Sequence, residues 1–69
     1  MSYQRRKVMA ALQRYGVTIV REGGRHTVVQ GPLGRQSSVP RHAVINRMLF
    51  KKMAKQLGLD TDILEREVK

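Results

Sequence analysis

Hydrophobic residues near the N-terminus recur at the spacing of a helix. Within residues 3–15, the apolar side chains fall on one side of a helical wheel and the arginine side chains fall largely elsewhere. Gly16 comes next, and glycine is common just beyond the C-terminus of a helix. The pattern therefore predicts a first amphipathic helix that ends at Gly16 and buries Val8, Met9, Ala11, Leu12 and Tyr15.

The pattern then changes to short segments rich in β-branched residues. Residues 17–21 and 25–30 flank Gly23 and Gly24, whose freedom in φ suits the turn of a hairpin. A Gly-Pro-Leu-Gly stretch forms a second turn, and a weaker third strand follows over residues 36–39. Its polarity predicts that this strand lies at an edge of the sheet.

From Ala43 onward the helical spacing returns and continues to Gly58. Asp60 then provides an N-cap for a short terminal helix. The apolar stripe of the longer helix consists of Ile45, Leu49, Phe50, Met53, Ala54 and Leu57.

The predicted order is α-β-β-β-α with a short C-terminal helix. Helices that cover one face of a small antiparallel sheet form an α+β sandwich of two layers, whose other sheet face stays near solvent. A chain of 69 residues hides only about 60% of the surface that its unfolded form exposes. We therefore expect one thin core and one domain over residues 1–69.

Charge is unevenly distributed along the chain. The net charge is +9, and residues 1–59 carry twelve Lys and Arg against one acid, Glu22, whereas residues 60–69 carry two against four. A protein with so basic a segment attracts polyanions, and nucleic acid is the commonest polyanion in the cytosol. The absence of cysteine and of a long apolar run favours a cytoplasmic protein that does not enter the membrane.

The residue types available for catalysis are few. Metal-dependent nucleases hold their ions with clustered carboxylates, and the first 59 residues offer only Glu22. Two histidines that lie far apart in the sequence, with no cysteine, are too few ligands for a zinc site. No metal or cofactor is therefore expected. Histidine, with an unperturbed pKa of about 6.5, remains for proton transfer. RNA carries its own nucleophile, the 2′-hydroxyl, so its cleavage needs only a base and a cation.

His26 is the first candidate for this role because it follows the glycine turn and has Arg21 and Arg25 nearby; these two arginines and Arg41 are the candidate phosphate stabilisers. The alternative is a histidine that only fills a strand position. His42 follows Pro40 and Arg41, where it could bond to the backbone at the helix entrance; a second acid/base role requires that it approach His26.

Basic residues of the second long helix are candidates for phosphate contact. Arg47, Lys51 and Lys55 recur every four residues opposite the apolar stripe, and Lys52 joins them. A solvated face is the alternative. The spacing of the aromatic residues places Tyr15 and Phe50 in the core, and no stacking platform for single strands is evident.

These motifs together resemble the HicA toxin family over residues 5–67. The matching features are Leu12-x-x-x-Gly16, Arg21-x-x-Gly24-x-His26, Gly34-Arg35, Val39-Pro40-Arg41-His42, Asn46-Arg47 and Gln56-Leu57-Gly58-Leu59. The resemblance implies a double-stranded-RNA-binding-like fold, an endoribonuclease that cleaves mRNA with His26 as the essential residue, and an inhibitory partner of the HicB antitoxin type. The family usually has Ser or Thr before this histidine, where Arg25 stands here.

Two alternatives stay open. Residues 51–55 also resemble the Lys-Lys-x-Ala-Lys signature of true double-stranded-RNA-binding domains, which read the shape of a duplex without cutting it. Against this reading, the Gly-Pro-x-His loop of those domains is absent between the first two strands. The third candidate is a basic protein that acts only within a protein complex, for example as a transcriptional co-regulator.

Overall fold

The computed structural model describes residues 1–69 and confirms the α+β fold with its α-β-β-β-α order, to which it adds two short strands. The elements in chain order are β1 (Ser2–Gln4), α1 (Arg5–Arg14), β2 (Thr18–Glu22), β3 (His26–Gln30), β4 (Gln36–Pro40), β5 (Val44–Asn46), α2 (Arg47–Leu57) and α3 (Thr61–Val68).

The three-stranded sheet is antiparallel in the order β2-β3-β4, so β4 lies at an edge as its polarity predicts. Every residue of β2 is exposed, whereas Thr27 and Val29 of β3 are buried beneath the helices. In β2 the pairing shifts between Ile19 and Arg21, which is a bulge of the kind that blunts an edge strand. The two edges of the sheet therefore differ, because β4 pairs in an unbroken register.

The short strands β1 and β5 pair antiparallel and correct both predicted helix starts. Tyr3 lies opposite Ile45, although the sequence pattern assigned each of them to a helix. Helix α1 begins at Arg5, and α2 begins at Arg47 with Asn46 as its N-cap. A strand of three residues buries one side chain, so its period cannot be distinguished from the first turn of a helix.

The core lies between the helices and the sheet. Phe50 is its largest fully buried side chain, as predicted, and meets Tyr3 edge to face, with ring centroids 5.3 Å apart. The buried hydrophobic residues are Tyr3, Val8, Ala11, Leu12, Val17, Val29, Val39, Ile45, Phe50, Met53, Ala54, Leu57, Leu64 and Val68. None of the helices is long and apolar enough to cross a membrane.

The prediction that Tyr15 is buried was wrong. Tyr15 is 36% exposed because α1 ends at Arg14, and the non-helical φ of Tyr15 turns it away from the apolar stripe. Val17 fills the core there instead, and its backbone N–H donates to the carbonyl of Leu12. Gly16, with φ +83°, makes this reversal of the chain feasible.

The glycine turn before His26 works differently from the prediction. Neither Gly23 nor Gly24 has a positive φ, so the turn does not use the left-handed region. A Cβ on Gly23 would lie 2.9 Å from the backbone carbonyl oxygen of His26, whereas a Cβ on Gly24 would meet nothing within 4 Å. Gly23 is therefore required for close backbone approach, and its N–H donates to that carbonyl at 2.8 Å.

A buried carboxylate connects α3 to the rest of the molecule. Glu65 is 5% exposed; it accepts a hydrogen bond from the Tyr3 hydroxyl at 2.5 Å and one from Arg47 Nε at 2.6 Å. The Arg47 guanidinium and then the Tyr3 hydroxyl lower the pKa of Glu65 from 4.5 to about 2. The hydrogen bond to Glu65, and then burial, raises the pKa of Tyr3.

Candidate functional site

An open groove of about 620 Å³ runs between the outer edge of β4 and helix α2. His26 reaches it from β3 and His42 reaches it from the segment between β4 and β5, so the fold brings the two histidines to one groove. Lys52 lines the opposite wall on α2. No acidic side chain lines the groove, and the site is therefore suited to an anionic ligand.

His26 is the first residue of β3 and lies opposite Pro40 of β4. Because Thr27 and Val29 face the helices, the alternation of a strand directs His26 and Val28 to the open face of the sheet. The imidazole is exposed at the end of the sheet, where it borders both this face and the groove. A histidine that only filled the core would lie on the other face.

A second depression lies on the open face beside the hairpin turn. Arg21, Gly24, Arg25 and His26 line it, so two of the predicted cations adjoin the predicted catalytic histidine. Both arginines are exposed, and neither forms a salt bridge. A phosphate group bound here would meet two guanidinium groups without displacing an ion pair.

Arg41 serves the hairpin rather than the groove. Its Nη2 lies 2.8 Å from Oε1 of Glu22, and its Nε donates to the carbonyl of Gly23 at 2.8 Å. Its backbone N–H donates to the carbonyl of Arg25 at 3.1 Å. Glu22, the one acid of residues 1–59, therefore holds Arg41 against the turn that carries His26.

Arg5 closes the same network from the helix layer. Its Nη2 donates to Oγ1 of Thr27 at 2.8 Å, and its Nε donates to the carbonyl of Pro40 at 2.9 Å. Thr27 is fully buried and donates onward to Glu22 at 2.6 Å. These supporting roles were not predicted, and a single acid in a basic segment is their only signal in the sequence.

The four basic residues of α2 differ in what they contact. Lys52 faces the groove, whereas Arg47 is bound by Glu65 of α3. Lys51 is half-buried and Lys55 is exposed, and neither lines the groove. The structure therefore brings one of these four predicted cations to the histidines.

Two polar side chains that were not predicted fix the walls of the groove. The Ser37 hydroxyl donates to Oε1 of Gln56 at 2.6 Å and so joins β4 to α2. Oδ1 of Asn46 accepts from the backbone N–H of Leu49 at 2.8 Å and caps α2. The Ser37–Gln56 contact joins elements 19 positions apart, which local patterns do not reveal, whereas the Asn46 cap spans only three residues.

The fold and the groove define a small, basic α+β protein with a double-stranded-RNA-binding-like order of elements and two histidines in one cationic groove. The family model described as the HicA toxin of bacterial toxin-antitoxin matches residues 5–59, and the chain belongs to the HicA toxin family. Membership implies a toxin that has an antitoxin partner. Searches of curated proteins and of solved structures gave no match.

Proposed function

We propose that this toxin is a metal-independent endoribonuclease that cleaves mRNA in the groove between β4 and α2. The observation that carries the proposal is the convergence of His26, His42 and Lys52 on one groove that has no acidic side chain. Histidine exchanges protons near neutral pH, and a lysine or arginine stabilises the charge of a phosphorane.

In the proposed reaction, one imidazole accepts the proton of the 2′-hydroxyl while the 2′-oxygen attacks the adjacent phosphorus. The bond from phosphorus to the 5′-oxygen breaks, and a protonated imidazole donates to that leaving oxygen. The products are a 2′,3′-cyclic phosphate and a free 5′-hydroxyl. We assign the essential proton transfer to His26 and the secondary one to His42, while Arg21, Arg25 and Lys52 stabilise the phosphate.

Incubation of RNA with the purified protein in excess chelator tests the proposal. The parent should cut, because the proposed chemistry needs no metal, and its fragments should end in a cyclic phosphate and a 5′-hydroxyl. His26→Ala should lower the rate at least a hundredfold, in line with the usual contribution of acid or base catalysis, and should retain RNA affinity.

Tyr15→Ala is the control, and His42→Ala tests the secondary proton transfer. Tyr15 is exposed and lies outside the groove, so its variant should cut at the rate of the parent. His42→Ala should slow cleavage less than His26→Ala does. Equal rates for His26→Ala and the parent, or a loss of activity in chelator, would contradict the proposal.

The partner that we propose is an antitoxin of the HicB type, more acidic than the toxin and encoded in an adjacent, translationally coupled reading frame. The positive field of the groove favours such a partner. Addition of the purified neighbour at equimolar concentration should abolish cleavage. Full cleavage in a complex shown to be intact would rule out inhibition by this protein.

The alternative function is a non-catalytic module that binds double-stranded RNA through α2. The observation that favours it is the basic segment with Lys51, Lys52 and Lys55 on one helix. This module would prefer duplex to single strands of the same sequence and would produce no new RNA ends. Preferential binding of single strands would argue against it.

A further inference from the structure

The outer edge of β4 is unpaired, and its geometry identifies which backbone groups face the groove. Arg41 N–H donates to the Arg25 carbonyl at 3.1 Å, and Gly31 N–H donates to the Arg35 carbonyl at 2.8 Å. These bonds show that odd-numbered residues of β4 direct their backbone groups toward β3, because the direction alternates along an antiparallel strand. The backbone N–H of Ser38 therefore points outward, into the groove that this residue lines.

The Ser38 side chain is placed beside His26. Ser38 lies opposite Val28 and His26 lies opposite Pro40, so Ser38 and His26 are diagonal neighbours on the open face. Such neighbours lie about 7–8 Å apart, and their Cβ atoms are somewhat closer. His26 and Ser38 are also the two residues that line both the groove and the hairpin depression.

Ser38 is free to bind a ligand, in contrast to the other hydroxyl groups near the site. The hydroxyl of Thr27 is engaged by Arg5 and Glu22, and that of Ser37 is engaged by Gln56. Ser38 is exposed, and its hydroxyl has no partner within the chain. It can therefore offer an O–H donor and a backbone N–H donor to the same anion.

We propose that Ser38 binds a non-bridging oxygen of the scissile phosphodiester through its hydroxyl and its backbone N–H. The phosphate then lies in the groove at the outer edge of β4, which the imidazole of His26 also lines, with Lys52 on the facing wall. This inference rests on the proposed cleavage of RNA, and it assigns to Ser38 the stabilisation of charge that develops on the phosphorane. Donors preorganised at such an oxygen contribute more to the transition state than to the ground state.

Ser38→Ala tests the role of the hydroxyl during cleavage. The variant should lower kcat about tenfold, less than the loss of a sole donor because the backbone N–H remains, and should raise KM by a smaller factor. Ser38→Thr, which restores a hydroxyl, should recover most of the rate. Ser2→Ala, an exposed strand substitution outside the groove, should match the parent. Unchanged kcat in Ser38→Ala would overturn the inference, and so would a Thr variant as slow as the Ala variant.

Titration with inorganic phosphate, followed by NMR, tests the same subsite without cleavage. The backbone amide of Ser38 and the ring protons of His26 should shift together, and Ser38→Ala should weaken the fitted affinity several-fold. An unshifted Ser38 amide would overturn the inference. Failure of the parent to cleave RNA would count against the proposed nuclease, whereas the phosphate titration would still decide whether this subsite exists.

Discussion

At the residue scale, Glu65 shows how one buried charge ties three elements together. Its carboxylate accepts hydrogen bonds from Arg47 at the start of α2 and from Tyr3 of β1, and both hydrogen bonds favour the ionised form. A carboxylate without these donors would be costly at 5% exposure. This acid of the terminal helix is therefore part of the folded framework.

This contact predicts acid-sensitive stability. The pKa of Glu65 is about 2 in the folded chain, against 4.5 as its ordinary value. The stabilisation is therefore fully present above about pH 5, and it is lost as the pH falls toward 2, because the unfolded chain binds the proton more readily. Denaturant unfolding measured from pH 6 to pH 2 should show this decline.

Glu65→Gln and Glu67→Gln provide the matched pair for this measurement. Gln at position 65 cannot be ionised, so its variant should be less stable at pH 6 and should lose less stability on acidification. Glu67 pairs with Arg14 at the surface, and its variant should keep the acid-dependent decline of the parent. An equally steep decline in both variants would assign the acid sensitivity to other groups.

At the element scale, the hairpin that carries His26 depends on one glycine of its pair. Gly23→Ala places a Cβ against the His26 carbonyl oxygen, and this backbone atom cannot move without breaking the turn. We expect a loss of about 1–3 kcal/mol in the free energy of unfolding, the usual cost of overpacking, together with slower RNA cleavage. Gly24→Ala, which points into open space, is the control and should unfold like the parent. Equal stability of the two variants would show that the turn tolerates the extra carbon.

The elements also show how far local sequence determines this fold. The periodicity predicts α1, the three strands of the sheet, α2 and the Asp60 cap, whose side chain accepts from the backbone N–H groups of Asp62 and Ile63. The pairing of β1 with β5 was not predictable, because it joins residues about forty positions apart. Its only local signal was Tyr3 and Ile45, which are also compatible with helical spacing.

The candidate site likewise has one part that local sequence predicts and another part that it does not. His26, Arg21 and Arg25 share a hairpin, so their proximity follows from local sequence. The approach of His42 and Lys52 depends on how α2 packs against β4, which no local pattern specifies. The even spacing of Arg47, Lys51 and Lys55 describes one face of α2, but the groove meets the adjacent face.

At the scale of the whole molecule, four of the five acids belong to the last ten residues rather than to the site. Helix α3 contributes Glu65 and Glu67, which neutralise Arg47 and Arg14 in the helix layer. The groove and the hairpin depression contain no acid except at their outer support, where Glu22 binds Arg41. An approaching polyanion therefore meets no repulsion from an acid in the groove that carries the histidines.

This distribution predicts how RNA affinity depends on salt. Each phosphate contact with single-stranded RNA adds about −0.7 to the slope of log K against log salt, so contacts from Arg21, Arg25 and Lys52 give a slope of about −2. Lys52→Ala should reduce its magnitude by about 0.7, whereas Lys55→Ala, outside the groove, should leave it unchanged. Fluorescence anisotropy in a His26→Ala background measures binding without cleavage. An equal reduction by both variants would instead place RNA along the outer face of α2, as the duplex-binding alternative requires.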